Sequence, residues 1–397
     1  MEDVDFLVVG CGPAGAQAAR EAAACGIHTV VLEKDAVVGA KRVCAAGLRP
    51  GFCDTFDLPR GIVHFDTPRF GLFDAAGREH ELYFGPGHTS TREELDGTMA
   101  QVARNAGAEI RTQSLLRSFE PDRDSTIVEY ADLQAGIRRR VRAKHVFLAQ
   151  GATARLDGGA FGDDNWQSGL MTTLQYRIYL DRPAAPIAYQ TLEMHYYPSR
   201  DGRQIVAWMF PKRDHLAIGL GLLGKLDGTS LREELDAFTE RVRARLYPDA
   251  SVVKVKQEGH LLYGGWPRAR VAADGVMLGG TAAGLVDATT GEGIFEAAIS
   301  GRFAAESVAS HRNDAFAAAA FYSKRLKDRF ARRLAHRVKL MRFLERRPAR
   351  YATLFQELTA YPRFADLLQR EDHERTAWER VYLYMHVLRF GIRGAFA

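Results

Sequence analysis

The order of apolar and polar residues along the chain predicts a mixed α/β protein. Residues 5–10 form a short apolar run that is typical of a buried strand, residues 14–24 are rich in alanine and predict a helix, and residues 29–33 predict a second strand. Together these elements occupy about thirty residues, which is the size of a βαβ unit. The chain therefore begins with an element that is common in nucleotide-binding domains.

The period of the pattern changes farther along the chain. Residues 40–90 are rich in glycine, proline and aromatic residues and predict loops with short strands. Residues 170–265 alternate as antiparallel strands around one helix, and residues beyond 312 predict helices only. The pattern thus divides the chain into a parallel α/β part, an antiparallel part and a helical part.

The composition is that of a globular protein, with 46% hydrophobic and 26% charged residues. Four cysteines without CxxC spacing are too few for a disulfide scaffold and do not predict a structural zinc site, so no metal is expected. The acidic first residues do not resemble a secretory signal, and no uncharged apolar run of about 18 residues predicts a membrane span. We therefore expect a cytoplasmic protein.

Basic residues are concentrated in the helical part. Residues 311–397 hold 19 Lys and Arg against 9 Asp and Glu, although the whole chain has a net charge of only +5. Such a segment predicts an anionic partner. Because apolar residues are interleaved with the basic ones, we expect no nucleic acid and favour peripheral contact with the inner face of a membrane. In the alternative, the apolar side packs on the body and the arginines are solvated.

A glycine-rich turn follows the first strand. Gly10, Gly12 and Gly15 fit the GxGxxG spacing, which allows a tight turn, a close approach of a pyrophosphate, and close packing of helix on strand. The helix N-terminus then presents free N–H groups to the phosphates. Glu33 ends the second strand, where its carboxylate can accept hydrogen bonds from ribose hydroxyls, which favours FAD or NAD over NADP.

Three later segments favour FAD over NAD. Arg92 and Asp96 lie at the head of a helix with an R..LD..M spacing, Gly151 ends a strand in a segment similar to A(D/T)G, and residues 280–284 lead into a glycine turn at 291–293. The N-terminus of the last helix would face the flavin pyrimidine, where negative charge accumulates on reduction. The residues predicted to bind FAD are Gly10, Gly12, Pro13, Ala14, Gly15, Glu33, Lys34, Arg92, Gly151, Thr281, Gly291, Gly293 and Ile294.

We therefore predict a Rossmann-type FAD-binding domain with an inserted antiparallel-sheet substrate domain and a C-terminal helical region. The predicted boundaries are 1–165 together with 266–311 for the FAD-binding domain, 166–265 for the substrate domain, and 312–397 for the basic helical region.

Three motifs accompany the fingerprint, and the last two of them are more specific than it. They are the cysteine loop Val43–Leu48, the segment Ala207–Lys212 followed by Gly219-Leu220-Gly221, and the segment Ala282–Gly284 that continues at Thr290–Ile294. With the fingerprint, they resemble the geranylgeranyl reductase family of FAD-dependent oxidoreductases, within the wider group built like aromatic hydroxylases. The resemblance covers residues 5 to about 310 and leaves out the basic region.

The resemblance implies an enzyme that saturates C=C bonds of a geranylgeranyl-type prenyl chain or a similar apolar substrate. Because an isolated alkene is a poor hydride acceptor, a proton must reach one carbon as hydride reaches the other. The loop position of Cys44 makes it the predicted proton donor, with a buried packing cysteine as the alternative. Trp208 and Phe210 are predicted to line the substrate pocket, while Lys212 either attracts a lipid phosphate or is a solvated turn residue. The electron donor is expected to be NAD(P)H or a ferredoxin-like protein.

Departures from the family pattern keep other functions open. Thr281 stands where the family has an Asp that binds the ribityl chain, and Gln150 replaces the Asp of the earlier segment. A flavin-dependent monooxygenase or halogenase on the same scaffold is one alternative, although the sequence has no lysine between Lys41 and Lys144. A degenerate flavoprotein that acts as a binding partner is another.

Overall fold

The computed structural model describes residues 1–40, 44–152, 156, 159–162, 166–181, 191–223, 228–370 and 374–396. The strands are β1 (Glu2–Val9), β2 (Thr29–Leu32), β3 (Gly47–Leu48), β4 (Phe65–Phe73), β5 (Glu79–Thr89), β6 (Glu109–Arg111), β7 (Ser114–Asp122), β8 (Ser125–Asp132), β9 (Ile137–Leu148), β10 (Leu170–Leu180), β11 (Thr191–Pro198), β12 (Gln204–Pro211), β13 (Leu216–Leu223), β14 (Val252–Tyr263), β15 (Ala272–Ala273) and β16 (Val276–Leu278). The helices are α1 (Pro13–Ala24), α2 (Phe52–Thr55), α3 (Arg92–Asn105), α4 (Gly228–Leu246), α5 (Ile294–Ser310), α6 (Ala315–Leu326), α7 (Arg332–Glu345), α8 (Ala349–Ala360), α9 (Pro362–Gln369) and α10 (Ala377–Phe396).

The first sheet has the strand order β15-β16-β9-β1-β2-β6, with the β7–β8 hairpin attached to β9. Its central strands are parallel, and Val9 of β1 pairs with both Leu32 of β2 and Leu148 of β9. The segments that follow these strands therefore meet at one edge of the sheet, where open α/β sheets bind their ligands. The predicted Rossmann-type fold class is confirmed.

Helix α1 packs very closely against its own turn and against α5. A Cβ atom at Gly15 would lie 1.8 Å from the carbonyl oxygen of Gly10, and one at Gly301 would lie 2.1 Å from that of Ala14. Neither position has room for a side chain, because non-bonded carbon and oxygen atoms do not approach so closely. Gly15 thus occupies the tightly packed position that the sequence predicts for the third glycine.

The second sheet has the order β14-β10-β13-β12-β11-β4-β5-β3 and is antiparallel except between β11 and β4. Helix α4 covers one face, while the C-terminal helices pack against the other. Three of its strands come from residues 47–89, outside the predicted segment 166–265. Of these, β4 and β5 are nine and eleven residues long rather than short. Pro68 lies at a register shift of β4, which interrupts the alternation that marks a strand. The predicted domain boundary at residue 165 lies outside the described residues.

The C-terminal region begins with a helical run that continues from α6 through the π-helical turn Lys327–Ala331 into α7. The apolar side of this run faces the body of the protein, since Leu326, Phe330, Leu334 and Val338 are at most 2% exposed. The structure therefore has the inward packing that the sequence left as the alternative, and this apolar stripe is not presented to a membrane. No helix in the described ranges is both long and apolar enough to cross a bilayer.

Candidate functional site

A cavity of about 1360 Å³ lies between the carboxyl edge of the first sheet, one face of the second sheet and the C-terminal helices. One end is built from turns of the first sheet, and the other is lined by aliphatic and aromatic side chains. The structure brings all the predicted site residues to this cavity except Gly15 and Lys212. The predicted residues that line it are Gly10, Gly12, Pro13, Ala14, Glu33, Lys34, Cys44, Arg92, Gly151, Trp208, Phe210, Thr281, Gly291, Gly293 and Ile294.

The glycine turn forms the polar end together with Glu33. Gly10 has a φ of +95°, and a Cβ there would lie 2.6 Å from the carbonyl oxygen of Ala149. The Glu33 carboxylate accepts hydrogen bonds from the backbone N–H groups of Cys11 (2.8 Å) and Asp35 (3.0 Å). These bonds fix the carboxylate beside the cavity, since its rotamer is held from two sides.

The donors around this end fit a dinucleotide cofactor. Helix α1 begins after Gly12 and α5 begins after Gly293, and neither cap residue has a side-chain capping bond. Both helix N-termini therefore present N–H groups to the cavity, where they suit phosphate or anionic ring oxygens. The buried Oε1 atom of Gln150 has no hydrogen-bond partner within the described part of the chain, which suits a polar ligand atom nearby.

Arg92 lies behind the glycine turn at the start of α3. Its guanidinium forms a bidentate pair with Asp96, with distances of 3.0 and 2.6 Å, and the side chain of Thr91 caps the helix by accepting from the N–H of Glu94. Burial alone would lower the pKa of Arg92, but Asp96 and the neighbouring Cys44 raise it. Arg92 therefore stays a fixed cation between the turn and the cysteine loop.

The cysteine loop lies at the middle of the cavity, and its first residue, Val43, is outside the described residues. The thiol of Cys44 is partly exposed to the cavity and accepts from the N–H of Ala46 at 3.4 Å. Lys212 lies on the other side of this loop, where it is 1% exposed and donates to the carbonyl oxygen of Ala45. Lys212 is thus not a solvated turn residue, and it does not line the cavity, where the other interpretation of the sequence would have it attract a lipid phosphate.

Trp208 and Phe210 lie on β12 and form part of the cavity wall. The indole N–H of Trp208 donates to Oε1 of Gln175 at 3.0 Å. A Cβ at Gly219 on the neighbouring strand would lie 2.4 Å from the Trp208 ring, so the glycine makes room for the indole. Phe210 packs in the same way on Gly47 of the cysteine loop, whose Cβ would lie 2.6 Å from its ring.

The C-terminal helices close the apolar end of the cavity, which sequence reasoning missed. Apolar residues of α7, α8 and α9 face strands of the second sheet across this end. The signal was the helical spacing of α8, where Tyr351, Leu354, Phe355 and Leu358 recur at intervals of one to four residues. The residues from these helices that line the cavity are Leu340, Leu344, Tyr351, Leu354, Phe355, Leu358, Ala365 and Leu368.

Buried ion pairs join α7 to the first turn of α5 and to the segment before that helix. Glu296 is fully buried and accepts on Oε1 from Arg49 of the cysteine-loop side (2.5 Å) and from Arg333 of α7 (2.7 Å). Arg337 pairs with Asp287 at 2.9 Å. The basic face of α7 is therefore partly neutralised by acidic residues of the body.

The chain is similar to a digeranylgeranylglycerophospholipid reductase from Methanopyrus kandleri. The two are 30% identical over 334 residues, which cover 83% of this chain and 86% of the relative. No family model matches the chain.

Solved structures share the fold. A geranylgeranyl bacteriochlorophyll reductase-like protein from Thermoplasma acidophilum has a TM-score of 0.77 at 24% identity, covering 90% of this chain and 92% of its own. A flavin-dependent brominase has a TM-score of 0.70 at 18% identity, covering 92% of each chain. The resemblance that the motifs predict is confirmed by these relatives.

Proposed function

The chain belongs to the geranylgeranyl reductase family of FAD-dependent oxidoreductases, and we propose that it saturates C=C bonds of a prenyl chain or a similarly long apolar substrate. The observation that carries this proposal is the continuity of the cavity. Its polar end offers two uncapped helix N-termini and Glu33, and its other end is an apolar slot closed by the C-terminal helices. Such a cavity suits a dinucleotide next to a long hydrocarbon chain.

The two ends of the cavity would hold different reactants, the cofactor at the polar end and the substrate at the apolar end. FAD, when bound, supplies the hydride that the alkene accepts. The turn at Gly12 would hold the pyrophosphate, Glu33 would hold the adenosine ribose, and the start of α5 at Gly293 would stabilise negative charge on the flavin ring. The apolar wall would reduce contact of the reacting bond with water, which favours a side chain as the proton donor.

Cys44 is the residue we assign to proton delivery. Its thiol faces the cavity between the nucleotide end and the aromatic wall formed by Trp208 and Phe210. One alkene carbon must receive a proton as hydride reaches the other. A donor at this junction would lie near both the nucleotide end and the apolar slot that holds the alkene.

The experiment is an anaerobic single turnover. The enzyme with bound FAD is reduced with dithionite and mixed with geranylgeranyl diphosphate, and flavin absorbance and product mass are followed. We expect the oxidised spectrum to return and the product to gain two hydrogens for each bond saturated. Cys44→Ser should keep FAD and slow this step, whereas Cys25→Ser, at an exposed cysteine, should not. A flavin that stays reduced without oxygen, together with an oxygenated or halogenated product in air, would favour the monooxygenase or halogenase reading instead.

We also propose that electrons come from NAD(P)H or a ferredoxin-like protein that binds transiently. The sequence has no second GxGxxG in a βαβ setting, and the one at Gly10–Gly15 belongs to the proposed FAD site. Mixing the oxidised enzyme with NADH, NADPH or reduced ferredoxin under argon and recording the bleaching of the flavin would identify the donor. Bleaching by none of the three would contradict this proposal.

Contact with a membrane surface is proposed through α10 rather than α7. Five apolar residues recur every three or four positions along α10 and are 48–82% exposed: Trp378, Val381, Met385, Leu388 and Ile392. Arg389 and Arg393 flank this stripe, pair with the buried Glu357 of α8 and stay about half exposed. Helix α10 packs on α8 and α9, which line the apolar end of the cavity. Apolar residues flanked by arginines suit an anionic bilayer surface.

Co-sedimentation with vesicles tests this contact. We expect binding to anionic vesicles but not to neutral ones, and loss of binding at high salt because exposed charges are screened. Val381→Ser with Leu388→Ser should weaken it, while Val253→Ser, at an exposed valine on β14, should not. Equal and negligible binding to both kinds of vesicle would remove the membrane contact from the proposal.

A further inference from the structure

A buried lysine lies directly behind the loop that carries Cys44. Lys212 follows β12 and is 1% exposed, and its Nζ donates to the carbonyl oxygen of Ala45 at 2.5 Å. The same Nζ lies 5.8 Å from the centre of the Phe210 ring, which faces the cavity. A lysine is rarely buried to this extent, because its ammonium group loses its hydration. Its place in the fold therefore needs an explanation other than packing.

The loop that Lys212 contacts has an unfavourable backbone conformation. Ala46 has a φ of +46°, in the left-handed region that residues with a Cβ rarely adopt. Two further bonds hold the loop in this shape: the N–H of Ala46 donates to the Cys44 thiol at 3.4 Å, and the N–H of Ser90 donates to the carbonyl oxygen of Ala46 at 3.0 Å. Strained backbone at a functional site persists only where the surrounding contacts hold it.

The loop also has no freedom to move toward β12. A Cβ at Gly47 would lie 2.6 Å from the Phe210 ring, so the backbone of the loop rests directly on the aromatic wall. Phe210 supports the loop from one side, and Lys212, two residues farther along, donates to it. The end of β12 and the residue after it thus contact the loop both through an apolar ring and through an amine donor.

We propose that Lys212 is a positioning residue, which holds the backbone of residues 44–47 in the strained shape that presents Cys44 to the cavity. It acts through the Ala45 carbonyl group and does not itself reach the substrate. Burial lowers the pKa of Lys212 to about 7, while the neighbouring Cys44 and Glu94 oppose this effect and Arg177 adds to it. This inference rests on the proposed function in one respect, the assignment of proton delivery to Cys44.

The test compares Lys212→Met with the unchanged protein, both with bound FAD. Methionine keeps the apolar stem and removes the donor, so a residue that serves only packing would tolerate it. We expect backbone amides of residues 44–48 to exchange with deuterium faster, on the order of tenfold, as expected for the loss of one hydrogen bond that holds the loop. The matched control is Lys254→Met, at an exposed lysine on β14, which should leave exchange of this loop unchanged.

A second readout separates positioning from general damage. In Lys212→Met the maximal single-turnover rate should fall on the order of tenfold, while FAD content and the half-saturating substrate concentration stay the same. If Lys212→Met does not fold, Lys212→Gln, which retains a neutral donor, is measured in the same way. Its exchange and its single-turnover rate should change in the same direction but by less than tenfold. Unchanged exchange of residues 44–48 would overturn the proposal. Faster exchange with an unchanged rate would support the anchor and count instead against Cys44 as the proton donor.

Discussion

Glu296 is the buried carboxylate that joins the C-terminal helices to the polar end of the cavity. Its side chain is 0% exposed, and its Oε1 accepts from both Arg49 and Arg333. Arg333 belongs to α7, and its side chain is 8% exposed. Replacing Glu296 with alanine removes this acceptor while keeping a residue that favours the helix. We expect the free energy of unfolding to fall substantially.

The size of the loss follows from the burial of the partners. Removing one member of a buried ion pair costs about 3–5 kcal/mol, because the remaining charge stays away from water. We expect about 3 kcal/mol for Glu296→Ala, since Arg49 still pairs with Glu292 and is 22% exposed. Glu296→Gln should cost roughly half as much, because the amide keeps the oxygen and loses only the charge.

The assay is urea unfolding at saturating FAD, followed by far-ultraviolet circular dichroism. The matched control is Asp57→Asn, which removes one charge from a surface pair with Arg20; Asp57 is 91% exposed. This pair should contribute at most about 1 kcal/mol. Asparagine also tolerates the positive φ of 47° at this position. If Glu296→Ala shifted the transition no farther than Asp57→Asn, the buried network would not be holding α7 in place.

Three further outcomes follow from the site. Glu33→Ala should weaken FAD binding about ten- to a hundredfold, because it removes the proposed acceptor for the ribose and the hydrogen bond from the N–H of Cys11. Titration of the apoprotein with FAD measures this, and unchanged affinity would contradict the proposed position of the ribose. Gly219→Val should push the Trp208 ring into the cavity and lower substrate affinity without loss of FAD, which single-turnover kinetics over a range of substrate concentrations would detect. Burial lowers the pKa of Lys212 to about 7, so between pH 7 and the usual pKa of a lysine the unfolded state binds more protons than the folded state. The free energy of unfolding should therefore rise with pH across this window, and Lys212→Met should flatten the rise. An equal slope in both proteins would count against the lowered pKa.

The polar end of the cavity was predictable because the sequence patterns that indicate it are local. Gly10, Gly12 and Gly15 lie within one turn, and the backbone conformation there depends on neighbours in sequence. Glu33 and Arg92 follow from the same logic, since each stands at a fixed offset from an element that periodicity predicts. Parallel strands then bring these segments to one edge of the sheet without further information.

The substrate end was less predictable because its contacts join distant segments. The burial of Lys212 depends on a loop almost 170 residues earlier, and nothing in the sequence near Lys212 indicates it. The strands at residues 65–89 were missed because Pro68 and the glycines break the alternating pattern. The apolar slot combines these strands with α8 and α9, whose periodicity indicates a buried face but not the surface that covers it.

The charge distribution shows how a correct sequence signal can lead to an incomplete interpretation. The basic helical region does have anionic partners, and several of them belong to the same chain. Arg325 pairs with Glu306, Arg333 with Glu296 and Arg337 with Asp287, so α6 and α7 bind the acidic body through their basic faces. Asp287 precedes α5 and Glu296 lies in its first turn, next to the polar end of the cavity. The ion pairs that keep α7 in place therefore also hold the apolar slot next to the proposed flavin site. The exposed apolar face of α10 lies outside these pairs, whereas Arg389 and Arg393 of the same helix pair with the buried Glu357 of α8, so the proposed membrane contact depends on the apolar residues of α10 as well as on its charges.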